Sequence, residues 1–364
     1  MKNKRINLKK VTLAAIALAF TMGTLTACGS SGSASASNNA ETTATNTNTS
    51  LGSETAGSGE LQTIRVGIMT GQADQYAAYI GTEEGIYEKY GINLETTEYA
   101  VGINTVDAIV NGTADTGLLA DFAAVNRIGN TLHATNLNLF AELSSSKATT
   151  GGVYVAPEYA DNLDELENSA GWITNIGTVS EYYNWQAQVA LGLDPDTQKA
   201  VNTDSTQTAL AAATNGEATA VVASGSLAKK YEELGWTLVA TSDEVGSVVG
   251  AYLVTTNEFL EGNTELLSNY LLALDESVNF INDNLDASAE KISAKFGVDK
   301  DQFISDWQTR TIIIGFTEEG AQNLDDVNAW AYGQGKYSEE YNIRDFIRTE
   351  AIEAAFPDRV TLSK

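Results

Sequence analysis

The chain has 364 residues, which exceeds one typical domain, and its formal net charge is −27. An acidic surface of this kind is repelled by nucleic acid and by anionic lipid, so neither is an expected partner. With one cysteine in the sequence, an intramolecular disulfide is excluded.

The first 27 residues have the pattern of a secretory signal peptide. Five basic side chains lie between residues 2 and 10, and the apolar run at 11–22 is too short to span a bilayer. The run ends in LTAC at 25–28, which resembles the bacterial lipobox. The resemblance implies that Cys28 carries a diacylglycerol anchor on the outer face of the cell membrane. An ordinary signal peptide ending at Ala27 is the alternative.

Residues 28–60 are rich in Ser, Thr, Asn, Gly and Ala, with Leu51 the one large apolar residue before residue 60. Such a segment cannot bury enough surface to offset its ordering entropy, so we expect a disordered tether with a reach of about 30 Å. Its length and composition favour a Gram-positive type of lipoprotein. Contact with the membrane is expected only through the lipid.

The next segment alternates strands with helices. Predicted strands cover 63–69, 93–99, 115–119 and 137–143; predicted helices run from Asp74 to 85, over 86–90 and 104–111, and from a cap at Asp121 over 122–128. This alternation favours a parallel sheet with helices on both faces.

A second α/β unit begins near residue 151. Predicted strands cover 153–156, 172–176, 218–223 and 237–240, and predicted helices cover 162–167, 181–191, 206–214 and 227–234. A strand at 248–255 follows. Everything beyond residue 257 is predicted to be helical, over 265–282, 288–296, 300–309, 318–332 and 343–355.

Three segments then resemble one family. They are GTEEGIYEKYGINLE at 81–95, VDAIVNGTADTGLLADFAAVNRIG at 106–129, and the long helical stretch at 253–284. In order and spacing they are similar to the substrate-binding proteins of ABC transporters for nitrate, sulfonates, taurine and thiamine precursors, over about residues 63–316.

The resemblance implies an α/β, two-lobed type-II periplasmic-binding-protein fold with two hinge crossovers and a helical C-terminal extension. Lobe I would comprise 61–148 and 250–364, lobe II 149–249, and the crossovers would lie near 146–151 and 246–250. It also implies an extracytoplasmic monomer that captures a small molecule between its lobes and delivers it to an ABC permease.

Four strand-to-helix turns should converge on the cleft, because ligands of open α/β sheets bind beyond the carboxyl ends of strands. Together with neighbouring aromatic residues they supply these candidate ligand-binding residues: Gly71, Gln72, Asp74, Ala120, Asp121, Tyr154, Thr178, Tyr182, Tyr183, Trp185, Ser224 and Ser226. Helix capping is the alternative role for Asp74 and Asp121, and core packing is the alternative for the aromatic residues.

None of these turns contains Arg or Lys. This absence favours a neutral or cationic heterocycle, such as a thiamine precursor, as the ligand. The alternatives are a sulfonate-, taurine- or nitrate-type anion, resting on neutral donors alone, or a sensory lipoprotein without a transport role.

An enzyme is not expected. The one histidine, His133, falls in a predicted loop, so His/Cys metal sites and Ser-His-Asp or Cys-His catalysis are excluded. No spacing singles out a pair of carboxylates. Neither a cofactor nor a metal is predicted.

Overall fold

The computed structural model describes residues 60–99, 102–147, 151–246 and 248–363. The predicted signal peptide, the lipidation site Cys28 and nearly all of the predicted tether lie outside the described residues. Among the residues that are described, no helix combines the length and the apolar character needed to cross a membrane.

The strands of the described residues are, in chain order, β1 (Gln62–Met69), β2 (Ile92–Tyr99), β3 (Thr116–Ala120), β4 (Leu137–Lys147), β5 (Gly151–Val155), β6 (Trp172–Thr174), β7 (Ala200–Asn202), β8 (Ala220–Ser224), β9 (Thr237–Thr241), β10 (Val248–Thr256) and β11 (Thr311–Gly315). The α-helices of the same residues are α1 (Tyr76–Glu83), α2 (Ile86–Lys89), α3 (Gly102–Val110), α4 (Asp121–Asn130), α5 (Val179–Ala190), α6 (Thr206–Thr214), α7 (Gly225–Glu233), α8 (Ser242–Val245), α9 (Asn257–Gly262), α10 (Thr264–Asp283), α11 (Leu285–Phe296), α12 (Lys300–Gln308), α13 (Glu318–Gly333) and α14 (Glu350–Ala355).

The strands form two sheets. The first has the order β11-β4-β10-β3-β1-β2 and the second the order β7-β6-β8-β5-β9. We call each sheet with its covering helices a lobe. The chain leaves the first lobe after β4 and returns to it with β10, so the architecture is α/β with two lobes and two crossings. The lobe limits stated from the sequence stay a prediction.

Both sheets are mixed rather than parallel. In the first lobe β1 pairs in parallel with β2 and β3, whereas β10 runs antiparallel to both β3 and β4. In the second lobe β5 is antiparallel to β8 and β9, and β6 is parallel to β7 and β8. The strands that follow the two crossings, β5 and β10, both run antiparallel to their neighbours, and the edge strand β11 is antiparallel to β4.

Apolar side chains fill both faces of each sheet. In the first lobe one cluster lies beneath α1, α10 and α14, and another beneath α3, α4 and α13. In the second lobe α6 and α7 cover one face, and α5 covers the other. Continuous burial of β3 and β5 follows from helices on both sides.

Two expectations for the C-terminal region are wrong. Residues 311–315 form the edge strand β11, paired antiparallel with β4, instead of continuing a helical region. The predicted helix 343–355 is a 3₁₀ turn at Ile343–Phe346 followed by the short helix α14. The run of three isoleucines at 312–314 is β-branched, which favours an extended strand.

Gly152 of β5 allows the neighbouring strand β9 to approach closely in the second sheet. A Cβ at this position would lie 1.9 Å from the carbonyl oxygen of Ala240 in β9. We therefore expect Gly152→Ala to lower the free energy of unfolding by at least about 1–3 kcal/mol, measured by urea denaturation. Gly262→Ala is the matched control, because nothing lies within 4 Å of the added Cβ. Equal stability of the two variants would contradict this packing.

Candidate functional site

The predicted turns lie where the two lobes contact each other. α5 of the second lobe packs on α4 of the first, and the beginning of α7 meets α12. A Cβ on Gly225, the first residue of α7, would lie 3.1 Å from Asp306 Oδ1. We take the region between these two contacts as the candidate site and call it the crevice.

Asp74 has a different role from the predicted helix cap. It lies within the 3₁₀ turn Ala73–Gln75, and its side chain is 1% exposed. Its Oδ2 accepts a hydrogen bond from Ser144 Oγ at 2.6 Å and pairs with Arg310 Nη1 at 3.2 Å. The second nitrogen of the guanidinium, Nη2, donates to Gln72 Oε1 at 2.7 Å. Asp74 therefore anchors a cation instead of capping α1.

Arg310 is the residue that sequence reasoning missed. It lies between α12 and β11, 236 residues from Asp74 along the chain, and the contact of α12 with the 3₁₀ turn at Ala73–Gln75 brings the two together. The predicted turns themselves contain no Arg or Lys, but the folded site contains this guanidinium, which is 19% exposed. No local pattern around residue 310 signals the contact.

Asp121 is the first residue of α4 and is fully buried; Ala120 holds the N-cap position before it. The carboxylate accepts hydrogen bonds from the Phe122 and Gly250 backbone N–H groups at 2.7 and 3.0 Å, and from Asn323 Nδ2 at 2.8 Å. Burial raises the pKa of Asp121 to about 6, against the opposing effect of these bonds. The side chain joins α4, α13 and the start of β10.

The aromatic residues of α5 divide between two of its faces. Tyr182 stacks on Trp185 with ring centroids 6.3 Å apart, and both contact Trp330 of the first lobe. Tyr183 lies on the other of these two faces of α5, and its buried hydroxyl has no hydrogen-bond partner. Burial raises the pKa of Tyr183, the charge of Asp121 raises it further, and the positive charge of Arg310 opposes them. The Tyr183 hydroxyl is thus within electrostatic reach of both charged groups.

Four further predicted site residues lie at a turn or at the start of a helix. Thr178 is the N-cap of α5, where its Oγ1 accepts from Ser180 N–H at 3.3 Å. Gly71 has a φ of 80°, and its N–H donates to Tyr76 Oη at 2.8 Å. Ser224 is the N-cap of α7 without a side-chain cap bond, so this helix leaves its first N–H groups to other acceptors. Ser226 is the second residue of α7.

Tyr154 is not brought to the crevice. It is buried in the core of the second lobe, and its hydroxyl donates to Glu232 Oε1 at 3.0 Å. Burial raises the pKa of Tyr154 to about 12. His133 is also remote, because its exposed side chain pairs with Glu339 on the surface. Across the described ranges, no group of three or more His, Cys, Asp or Glu side chains could hold a metal ion.

The sequence gives no match to a protein-family model or to a curated protein. Similar solved structures include the periplasmic aliphatic sulphonate binding protein SsuA from Escherichia coli, with a TM-score of 0.67, 15% identity, and coverage of 79% of this chain and 97% of that one. The periplasmic nitrate-binding protein NrtA from Synechocystis gives a TM-score of 0.65 at 14% identity, covering 82% and 91%. The desulfurization enzyme DSZB gives a TM-score of 0.59 at 15% identity, and the match covers 81% of this chain and 99% of that one.

This chain has the two-lobed periplasmic-binding-protein fold. The likeness spans both lobes, since it covers about four fifths of the chain. The fold itself accommodates proteins described as binders and one described as an enzyme, so function has to be argued from the crevice.

Proposed function

We propose that this protein is an extracytoplasmic solute-binding lipoprotein, which captures a small molecule between its lobes and delivers it to an ABC importer. The proposal includes the lipid anchor at Cys28 and the tether that follows it. It is supported by the binding-protein fold, and by neighbours whose names describe periplasmic binding of sulphonate and nitrate.

One observation carries the choice of ligand: the Arg310 guanidinium, paired with Asp74 and Gln72 of a predicted turn, lies within electrostatic reach of the unpartnered Tyr183 hydroxyl. A neutral or cationic heterocycle was favoured because the turns lack a cation, and Arg310 removes that reason. A guanidinium and a phenol both donate hydrogen bonds to oxyanions. We therefore favour a sulfonate-, taurine- or nitrate-type ligand over a thiamine precursor.

The hydrogen bonds that the Asp121 carboxylate accepts favour binding over catalysis. The DSZB neighbour shows that the fold also supports an enzyme. In this crevice, however, each oxygen of the Asp121 carboxylate already accepts at least one hydrogen bond from the protein. A general base needs a lone pair directed at the substrate proton, so Asp121 is better suited to holding α4, α13 and the start of β10 together than to proton transfer.

A ligand panel tests the proposal. The full mature chain is heated with taurine, an alkanesulfonate, nitrate and a thiamine pyrimidine, each in excess. A ligand at 100 times its Kd should add about 2.7 kcal/mol of stability and raise the melting temperature. We expect the sulfonates or nitrate to do so. Stabilisation by the pyrimidine alone would show that the ligand assignment is wrong, and calorimetric titration then gives the affinity.

Tyr183→Phe separates ligand binding from folding. The hydroxyl has no partner in the free protein, so its removal should leave the melting temperature unchanged or raise it. Loss of a hydrogen bond to a charged ligand should weaken binding by about 10- to 100-fold. Tyr182→Phe is the control, because Tyr182 packs against Trp330 instead. Equal affinities of the two variants would exclude Tyr183 from the ligand site.

A further inference from the structure

A groove of about 380 Å³ lies on another face of α5, outside the crevice. Glu181, Trp185 and Gln188 line it, and they recur at three- and four-residue spacing, so they share one side of the helix. Tyr183 lies two positions from both Glu181 and Trp185 and therefore points away from the groove. The opposite wall comes from the end of α13 in the first lobe and includes Trp330.

Three tryptophans contribute to the walls of the groove. Trp185 and Trp330, one from each lobe, have ring centroids 6.1 Å apart at an angle of 53°. Trp172 forms part of the wall from β6. Trp172 is 1% exposed, so the partly exposed rings of Trp185 and Trp330 supply the apolar contact for a flat molecule, at low entropic cost.

One polar group at the groove is left unsatisfied. The indole N–H of Trp330 is buried and has no hydrogen-bond partner. By contrast, the indole N–H of Trp172 donates to Gln198 Oε1 at 3.0 Å. A buried donor without an acceptor costs about 1–3 kcal/mol, so an occupant that carries an acceptor would gain from meeting the Trp330 N–H.

The charges around the groove cancel. Glu181 pairs with Lys336 across the lobes at 2.6 Å. Asp196 and Lys199 complete the charged lining. An anion or a cation would therefore meet one like charge for each opposite charge, which favours an uncharged occupant.

We propose that this groove is a second small-molecule site, which takes an uncharged planar heterocycle whose acceptor atom receives the Trp330 indole N–H. Both lobes supply its walls, so an occupant favours the arrangement in which the lobes are in contact. The site is independent of the oxyanion site proposed for the crevice, because it uses neither Arg310 nor Tyr183.

Indole resonances of the full mature chain test the site. The sequence contains five tryptophans, so five indole N–H signals are expected in a ¹⁵N-labelled sample. Nicotinamide is the uncharged probe. Nicotinate, which has a similar shape but carries a negative charge, is the control. We expect nicotinamide to shift the signals of Trp185 and Trp330 saturably, and nicotinate to bind more weakly.

Trp330→Phe assigns one signal by its loss and keeps an aromatic ring. It should weaken nicotinamide binding by about 2- to 10-fold, the effect of one neutral hydrogen bond. Unchanged affinity in this variant, or a wild-type Trp330 signal that does not shift saturably, would overturn the proposal. Tyr183→Phe should leave nicotinamide binding unchanged. A loss in that variant would place the probe in the crevice and would also overturn the second site, whereas failure of the oxyanion panel leaves this titration unaffected.

Discussion

Replacing Arg310 with methionine should lower the free energy of unfolding by about 3–5 kcal/mol. Asp74 is 1% exposed, and this change would leave its carboxylate with Ser144 as the remaining donor. A buried charge that loses its partner keeps the cost of desolvation without the compensating attraction. Urea denaturation near neutral pH measures the loss.

A double-mutant cycle with Asp74→Asn isolates the pair. The neutral amide that this change places at position 74 needs no cation, so Arg310→Met should cost much less in the Asp74→Asn background than in the natural chain. The exposed pair of Lys89 and Glu276 supplies the control, and Lys89→Met should cost about 0–1 kcal/mol. If Arg310→Met costs no more than Lys89→Met, the guanidinium does not neutralise Asp74.

The stability of the protein should fall between about pH 4 and pH 7 because of Asp121. Burial raises the pKa of this carboxyl from its ordinary 3.8 to about 6. Between those values the folded protein holds a proton that the unfolded chain has released. The contribution is therefore complete below pH 3.8 and is lost as the pH rises through 6. A rise of about two pKa units corresponds to a change of about 3 kcal/mol in the free energy of unfolding.

Asp121→Asn removes this titration while keeping the shape of the side chain. Unfolding free energies of the natural chain and the variant are compared across the same pH range. The difference between them should change by about 3 kcal/mol, with the natural chain gaining at low pH. Burial also raises the pKa of Glu142, but that carboxyl is present in both proteins and cancels in the difference. Parallel curves would show that the pKa of Asp121 is not raised.

Loss of the Asp121 bonds should also affect the crevice. The carboxylate joins the backbone of Gly250, where the chain re-enters the first lobe, to Asn323 of α13. Groups that hold such a crossing help to set how the lobes approach each other. Protonation of Asp121 stabilises the folded protein at acid pH. The geometry of this crossing can therefore be examined over the same pH range.

The amino-acid sequence by itself determined the local elements. The alternation at 63–69 indicated β1, and the stretch at 265–282 indicated most of α10, because the periodicity of apolar residues records which side of an element is buried. The turn beginning at Gly177 indicated the start of α5, since hydroxyl caps act within a few residues. These signals and the family resemblance predicted the two-lobed α/β fold.

Only the tertiary structure decided which distant groups meet. Residues 311–315 form a strand because the edge of β4 is available to them, and the Arg310 guanidinium meets Asp74 because α12 packs on the 3₁₀ turn at Ala73–Gln75. Tyr154 packs in the core of the second lobe, while the Tyr183 hydroxyl is buried within electrostatic reach of Asp121 and Arg310. Such contacts depend on which distant elements pack against each other in the folded chain. Local periodicity contains no information about that packing, so the charge of the crevice could not be predicted from the turns alone.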